Sequence, residues 1–227
     1  MKILIIVAME KELSLVLPHL ENIGFVDNGT YTYNTGVLGG HDVAVAKCGI
    51  GKVNAAISTY RLINEEWPDL IINTGVAGGA DKDIHPMDVV IADEVAYHDV
   101  WCGPGTEYGA ADGFPVRMET SRKVVEAAMK ANPKAVKGLI CSGDIFIDSP
   151  EQIEDICEAY PDALAVDMES AAVMQTAASQ GIPCAVIRVI SDSPVAGDNF
   201  AEYENFWEEA PQATFSALIS TLKALPA

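Results

Sequence analysis

The sequence predicts an α/β fold: three α/β/α layers around a central mixed β-sheet, in a single domain covering residues 1–227. Three observations lead there. Short apolar runs (3–8, 69–74, 88–97, 136–141) alternate with segments of helical period (10–20, 52–66, 121–131, 150–159), the pattern of strands covered by helices. Residues 163–193 read as strand, helix and strand, interrupted at Gly181-Ile-Pro183, with a right-handed crossover and parallel strands expected. Runs 31–38 and 42–48, separated by Gly39-Gly40-His41, read as a hairpin, which makes the sheet mixed. No Pro/Ser-rich linker divides the chain.

Each element has its own warrant. The opening run Met1 to Met9 is too short to cross a bilayer, and Glu10-Lys-Glu12 follows at once with no small-residue cleavage site, so it reads as a buried first strand. Residues 10–20 put Leu13, Val16, Leu17 and Leu20 on one helical face; Pro18 weakens its end, and Glu10 and Glu12 fall in the first turn, where acids favour the helix dipole. Gly49-Ile-Gly51 turns into helix 52–66. Asn54 stands where a dinucleotide motif needs its third glycine, and P-loop spacing is absent, so neither ligand is indicated. Ile50 can still face a ligand at this rim. Strand 69–74 runs into Gly75-Val-Ala-Gly-Gly79, where small residues let a ligand lie against the backbone.

Strand 88–97 opens into a Gly/Pro-rich stretch reaching Pro115, the length of a lid or an interface loop. Between strand 136–141 and helix 150–159, Phe146 and Ile147 are flanked by Asp144 and Asp148; they read as core or as a stacking wall for a flat ligand. Residues 199–225 are helical in pattern, with Pro211 kinking or restarting the helix. They gather Phe200, Tyr203, Phe206 and Trp207, and Tyr203 reads as core or as a cover over a ligand.

Charge and cysteine usage exclude several classes. The formal net charge of -19 repels nucleic-acid backbones and anionic membrane surfaces. The five cysteines are odd in number and unclustered, and the four histidines lack ligand spacing, which suits a cytosolic chain with reduced thiols, no metal and no cofactor.

Two carboxylates stand where carboxylates are costly. Glu169 is the last charge before Arg188 and heads a helix with almost no polar face; Asp192 sits where the run 184–190 ends. Ligands of open parallel sheets collect at that edge. The competing reading is structural: Glu169 complements the helix dipole and Asp192 caps the next helix. With Glu12, the 75–79 backbone and Phe146, these acids suit an uncharged heterocycle carrying hydroxyls better than a phosphate.

Six segments then carry a resemblance. Ala8-Met-Glu-Lys-Glu12, Lys47-Cys-Gly-Ile-Gly-Lys-Val53, Ile72-Asn-Thr-Gly-Val-Ala-Gly-Gly79, Ser142-Gly-Asp-Ile-Phe-Ile147, Val166-Asp-Met-Glu169 and Arg188-Val-Ile-Ser-Asp192 resemble, in order over nearly the whole chain, the motifs of 5'-methylthioadenosine/S-adenosylhomocysteine nucleosidases of the nucleoside phosphorylase superfamily. The resemblance implies a nucleoside phosphorylase-like fold and hydrolysis of the N-glycosidic bond of 5'-methylthioadenosine and S-adenosylhomocysteine. It implies that Asp192, helped by Ser191, protonates or hydrogen-bonds adenine N7, that Glu169 accepts the ribose 2'- and 3'-hydroxyls, and that Glu12 deprotonates the attacking water. It also implies that Phe146 stacks on the base, the Ile147 backbone reads its edge and Met168 packs on the sugar. Val76, Ala77, Gly78, Arg188 and Tyr203 complete the expected binding set, and a homodimer is implied in which the loop near Trp101 reaches the neighbour's site.

Water is favoured over phosphate as the nucleophile. A phosphorylase binds a dianion with Arg forks, whereas this chain has only Arg61, Arg117, Arg122 and Arg188, and only Arg188 matches a site motif. Phosphorylases of the superfamily carry an arginine near the position of Asn73, and basic residues where Met9-Glu10 stands here. The chain departs from well-known nucleosidases at Val76, where they have Ser near the water, at Asp167 in place of Glu, and in 101–115 and 197–203. Alternatives are a hydrolase of another 5'-modified purine nucleoside such as futalosine, a purine nucleoside phosphorylase, and a nucleoside-binding protein without turnover.

Overall fold

The computed structural model describes residues 1–196, 199–209 and 215–226. In chain order the strands are β1 (Lys2–Val7), β2 (Glu21–Asp27), β3 (Thr32–Leu38), β4 (His41–Lys47), β5 (Leu70–Gly79), β6 (Val89–Tyr97), β7 (Arg117–Glu119), β8 (Val136–Ser142), β9 (Ala163–Asp167) and β10 (Cys184–Asp192). The helices are α1 (Glu10–Val16), α2 (Lys52–Glu66), α3 (Arg122–Ala131), α4 (Pro150–Ala159), α5 (Ser170–Ser179), α6 (Asn199–Glu209) and α7 (Ser216–Ala224).

β1 shows why the sheet has helices on both faces. Leu4 and Ile6 pack into a core with Ala55 and Leu62 of α2 and Ala172 of α5, while Ile3, Ile5 and Val7 point the other way, to Leu13 and Val16 of α1 and Leu218 and Leu222 of α7. An unbroken apolar run, rather than an alternating one, is what a strand covered twice requires. The three-layer mixed fold is as expected.

The sheet runs β10-β6-β8-β9-β5-β1-β4-β3-β2, and a further pairing of β10 with β5 closes five strands into a ring. β5 makes that closure. It is ten residues long and pairs parallel with β1 and β10, then antiparallel with β9 through Gly78 and Gly79. The expected parallel crossover over 163–193 is therefore corrected. β9 pairs parallel with β8, while β10 runs antiparallel to β6, itself parallel to β8, so β9 and β10 run in opposite senses and are not neighbours. Apolar runs and a helix between them mark two buried strands, but strand direction is set by partners remote in sequence.

Other differences are local. The strand expected to stop at Thr74 continues through the glycines, the first helix ends at Val16 with a single 3-10 turn over Leu17–His19, and β2 and β7 had no counterpart in the sequence reading. The expected helix over 199–225 is two helices; Pro211 lies outside the described residues. All five cysteines are free, with Cys102 exposed. Among the described residues no helix is long and apolar enough to cross a membrane, and no group of His, Cys, Asp and Glu is suited to a metal ion.

Candidate active site

Three elements deliver an acid each to one cavity of about 640 Å³, its open mouth included. Glu12 comes from the first turn of α1, Glu169 from the N-cap of α5 and Asp192 from the last position of β10. All three are at least 95% buried within the fold, yet all line this cavity. Ile50, Val76, Ala77, Gly78, Phe146, Ile147, Met168, Ser191 and Tyr203 line it too, as expected from the sequence.

Glu12 is held by backbone. Its Oε2 accepts N–H groups of Ala8 (2.7 Å) and Met9 (2.9 Å), and its Oε1 accepts that of Val76 (3.0 Å). Burial pushes its pKa up, and the Arg188 guanidinium and these amides work against that rise. Gly75 makes the approach possible: a Cβ there would press on Glu12 Oε1 and lie 2.6 Å from Arg188 Nη1.

Glu169 Oε1 accepts the Gly51 N–H at 2.9 Å, which ties the acid to the turn before α2. Burial, then the Asp167 charge, raise its pKa to about 7, opposed by Arg188. Among the described residues no cation contributes to the pKa of Asp192. Ser191 Oγ stands 2.6 Å from its Oδ1, Asn199 Nδ2 donates to its Oδ2 at 2.6 Å, and burial raises its pKa. An acid so placed keeps its proton more readily than one in water, the property a general acid needs.

The apolar wall is open to a flat ligand. Phe146 is 41% exposed, and the Tyr203 ring meets it edge-on at 5.6 Å while the Tyr203 hydroxyl donates to Met9 Sδ at 3.4 Å. Tyr203 thus lines the cavity and is only half-buried.

Arg188 is the exception to the expected binding set. It is fully buried and does not line the cavity. Its Nε and Nη2 bond Asp167 Oδ2 at 2.8 and 2.7 Å, and Nη2 also donates to Asn73 Oδ1 and Ser170 Oγ. Asp167 in turn accepts from the Ser142 hydroxyl, the Ser170 hydroxyl and the Glu169 N–H. A guanidinium needs this many acceptors to be buried at all, and it acts on the cavity through its charge. Met9, Ile145 and Val166 line the cavity without having been singled out from sequence, as does Asp167, noted there only as a departure. Asn199 was read only as the start of a helix, where an Asn is common enough to draw no notice.

A closed mixed sheet with buried acids and an aromatic wall at one mouth defines the class, and the family model described as "Phosphorylase superfamily" matches residues 2–223. A 5'-methylthioadenosine/S-adenosylhomocysteine nucleosidase of Staphylococcus aureus is 40% identical over 226 residues, covering 96% of this chain and 99% of its own. The S. pneumoniae nucleosidase solved with the transition-state inhibitor MT-ImmA superposes with a TM-score of 0.93 at 36% identity, covering 100% of both chains. The S-adenosylhomocysteine nucleosidase of Streptococcus pyogenes in complex with 5-methylthiotubericidin gives 0.95 at 34% identity, covering 100% of this chain and 98% of that one. The chain belongs to the 5'-methylthioadenosine/S-adenosylhomocysteine nucleosidase family of the phosphorylase superfamily.

Proposed function

We infer that the chain is a purine nucleosidase: it hydrolyses the N-glycosidic bond of 5'-methylthioadenosine and S-adenosylhomocysteine, releasing adenine and a 5-thio-substituted ribose. The observation that carries the chemistry is the convergence of Glu12, Glu169 and Asp192 on one cavity beside Phe146.

Asp192 gives its proton to N7 of the base as the C1'–N9 bond breaks and the bonding pair passes to the purine, which leaves neutral. Glu12 takes a proton from the attacking water, whose oxygen bonds C1'. Glu169 accepts the ribose hydroxyls, and its charge favours the oxocarbenium-like transition state. Solvent then returns a proton to Asp192 and removes one from Glu12. Ile50, Met168, Val76, Ala77 and Gly78 pack around the sugar and base, and the Ile147 backbone reads the base edge.

The placement of Arg188 supports water over phosphate: its Nε and Nη2 are held by Asp167, Asn73 and Ser170, its Nη1 is buried without a partner among the described residues, and the guanidinium does not line the cavity where a dianion would sit. The parent protein is expected to release adenine from 5'-methylthioadenosine in phosphate-free buffer; strict dependence on added phosphate would overturn the hydrolase reading.

The working unit is a homodimer of cytosolic single-domain chains acting without a cofactor. Supporting the pairing, Val53, Ile57 and Tyr60 form an exposed apolar stripe along α2, at the spacing of one helical face, and Trp101 is exposed on the adjoining loop.

A further inference from the structure

Asn199 is the first residue of α6 and is 1% exposed, yet nothing in the chemistry above uses it. Its side-chain amide donates to Asp192 Oδ2 at 2.6 Å and to the Ile147 carbonyl oxygen at 3.0 Å. A carbonyl oxygen can only accept, so the contact with Ile147 decides which end of the amide faces the acid: the nitrogen. Asn199 Oδ1 is left buried without a partner among the described residues. One polar atom is given up so that two acceptors are held.

Resting on the reading of Asp192 as the general acid, we propose that Asn199 is a positioning residue for base departure. By donating to Asp192 Oδ2 and to the Ile147 carbonyl together, it fixes the proton-giving carboxyl relative to the backbone that faces the base. The carboxyl is clamped at both oxygens, by Ser191 at Oδ1 and by Asn199 at Oδ2. Its proton leaves along a lone pair still open to the cavity. Ser191 serves either charge state, since its hydroxyl can donate to Asp192, or turn toward the Ala77 carbonyl 3.3 Å away and accept. Asn199 has no such choice and holds Oδ2 as an acceptor throughout. One turn further along α6, Tyr203 lines the cavity. The same helix therefore carries the residue that holds the acid and one that lines the cavity.

The test compares Asn199→Leu and Asn199→Asp with the parent, all checked for folding by thermal unfolding, on two substrates. 5'-Methylthioadenosine needs its base protonated to leave; 4-nitrophenyl 5-methylthio-β-D-riboside loses a phenolate that needs no proton. For Asn199→Leu, kcat on the nucleoside is expected to fall about 10- to 100-fold, the effect of losing a hydrogen bond to an ionisable group, with kcat on the phenyl riboside retained. Asn199→Asp is expected to recover part of the nucleoside activity at low pH, where its new carboxyl has a hydrogen to donate. Equal losses on both substrates, or no loss on the nucleoside, would overturn the proposal. If the Leu variant does not fold, the same ratio in Asn199→Asp decides. Failure of the parent itself to release adenine would refute the nucleosidase reading instead.

Discussion

In the proposed mechanism Glu12 and Asp192 are buried carboxyls that work in opposite states, and their neighbours differ accordingly. Burial raises both; at Glu12 the Arg188 charge and three amide hydrogens oppose the rise, whereas at Asp192 the neutral donors Ser191 and Asn199 oppose it and the Glu202 charge adds to it. Glu12→Gln and Asp192→Asn should each lower kcat by about 10²- to 10⁴-fold, the usual worth of a general acid or base, with unchanged circular dichroism. Glu169 behaves differently. With a pKa near 7 it loses charge as pH falls through neutrality, so affinity for a ribose-bearing nucleoside analogue such as 5-methylthiotubericidin should weaken by up to about tenfold per pH unit below 7. Calorimetric titration across pH 5.5 to 8 checks this, and Glu169→Gln should flatten the dependence. Glu169 and Asp192 were legible in the sequence because charge stands out in an apolar context, whereas Glu12, beside Glu10 and Lys11, was marked out by the resemblance of its motif. The Arg188 cluster and Asn199 were not, because a buried polar residue is defined by partners that only folding supplies.

β5 is the element on which the site depends. It pairs with three strands and brings the Val76 amide to Glu12, and at Gly75 it passes so close to Glu12 and Arg188 that a methyl group has no room. Gly75→Ala should destabilise the protein by about 1–3 kcal/mol through overpacking, roughly 2–12 °C in Tm for a chain of this size, and displace Glu12. Thermal unfolding and adenine release measured on the same preparation check both effects. Helical segments were read well from sequence, α2 and α4 to the residue, because their apolar period is local. The extent of β5 was not, since glycines that end most strands here continue one whose partners lie on both sides. β2, largely exposed at the sheet edge, and β7, three residues long, lack any periodic signal.

At the scale of the whole molecule, the net charge of -19 sits on a body with an uncharged stripe along α2. The stripe is apolar and exposed, which favours pairing through this face. If the proposed homodimer pairs through this face, Val53→Asp together with Ile57→Asp should convert it to a monomer in sedimentation velocity and reduce turnover. A dimer in the parent and an unchanged sedimentation coefficient in the variant would place the contact elsewhere.

The lone guanidinium beneath the cavity has a further consequence. It feels Glu12, Asp167 and Glu169 at once, and a single positive centre cannot neutralise three negative ones in a medium that tolerates almost no uncompensated ionisation. Glu12 and Glu169 are therefore both pushed toward holding hydrogen, and a hydrogen taken up by one eases the ionisation of the other.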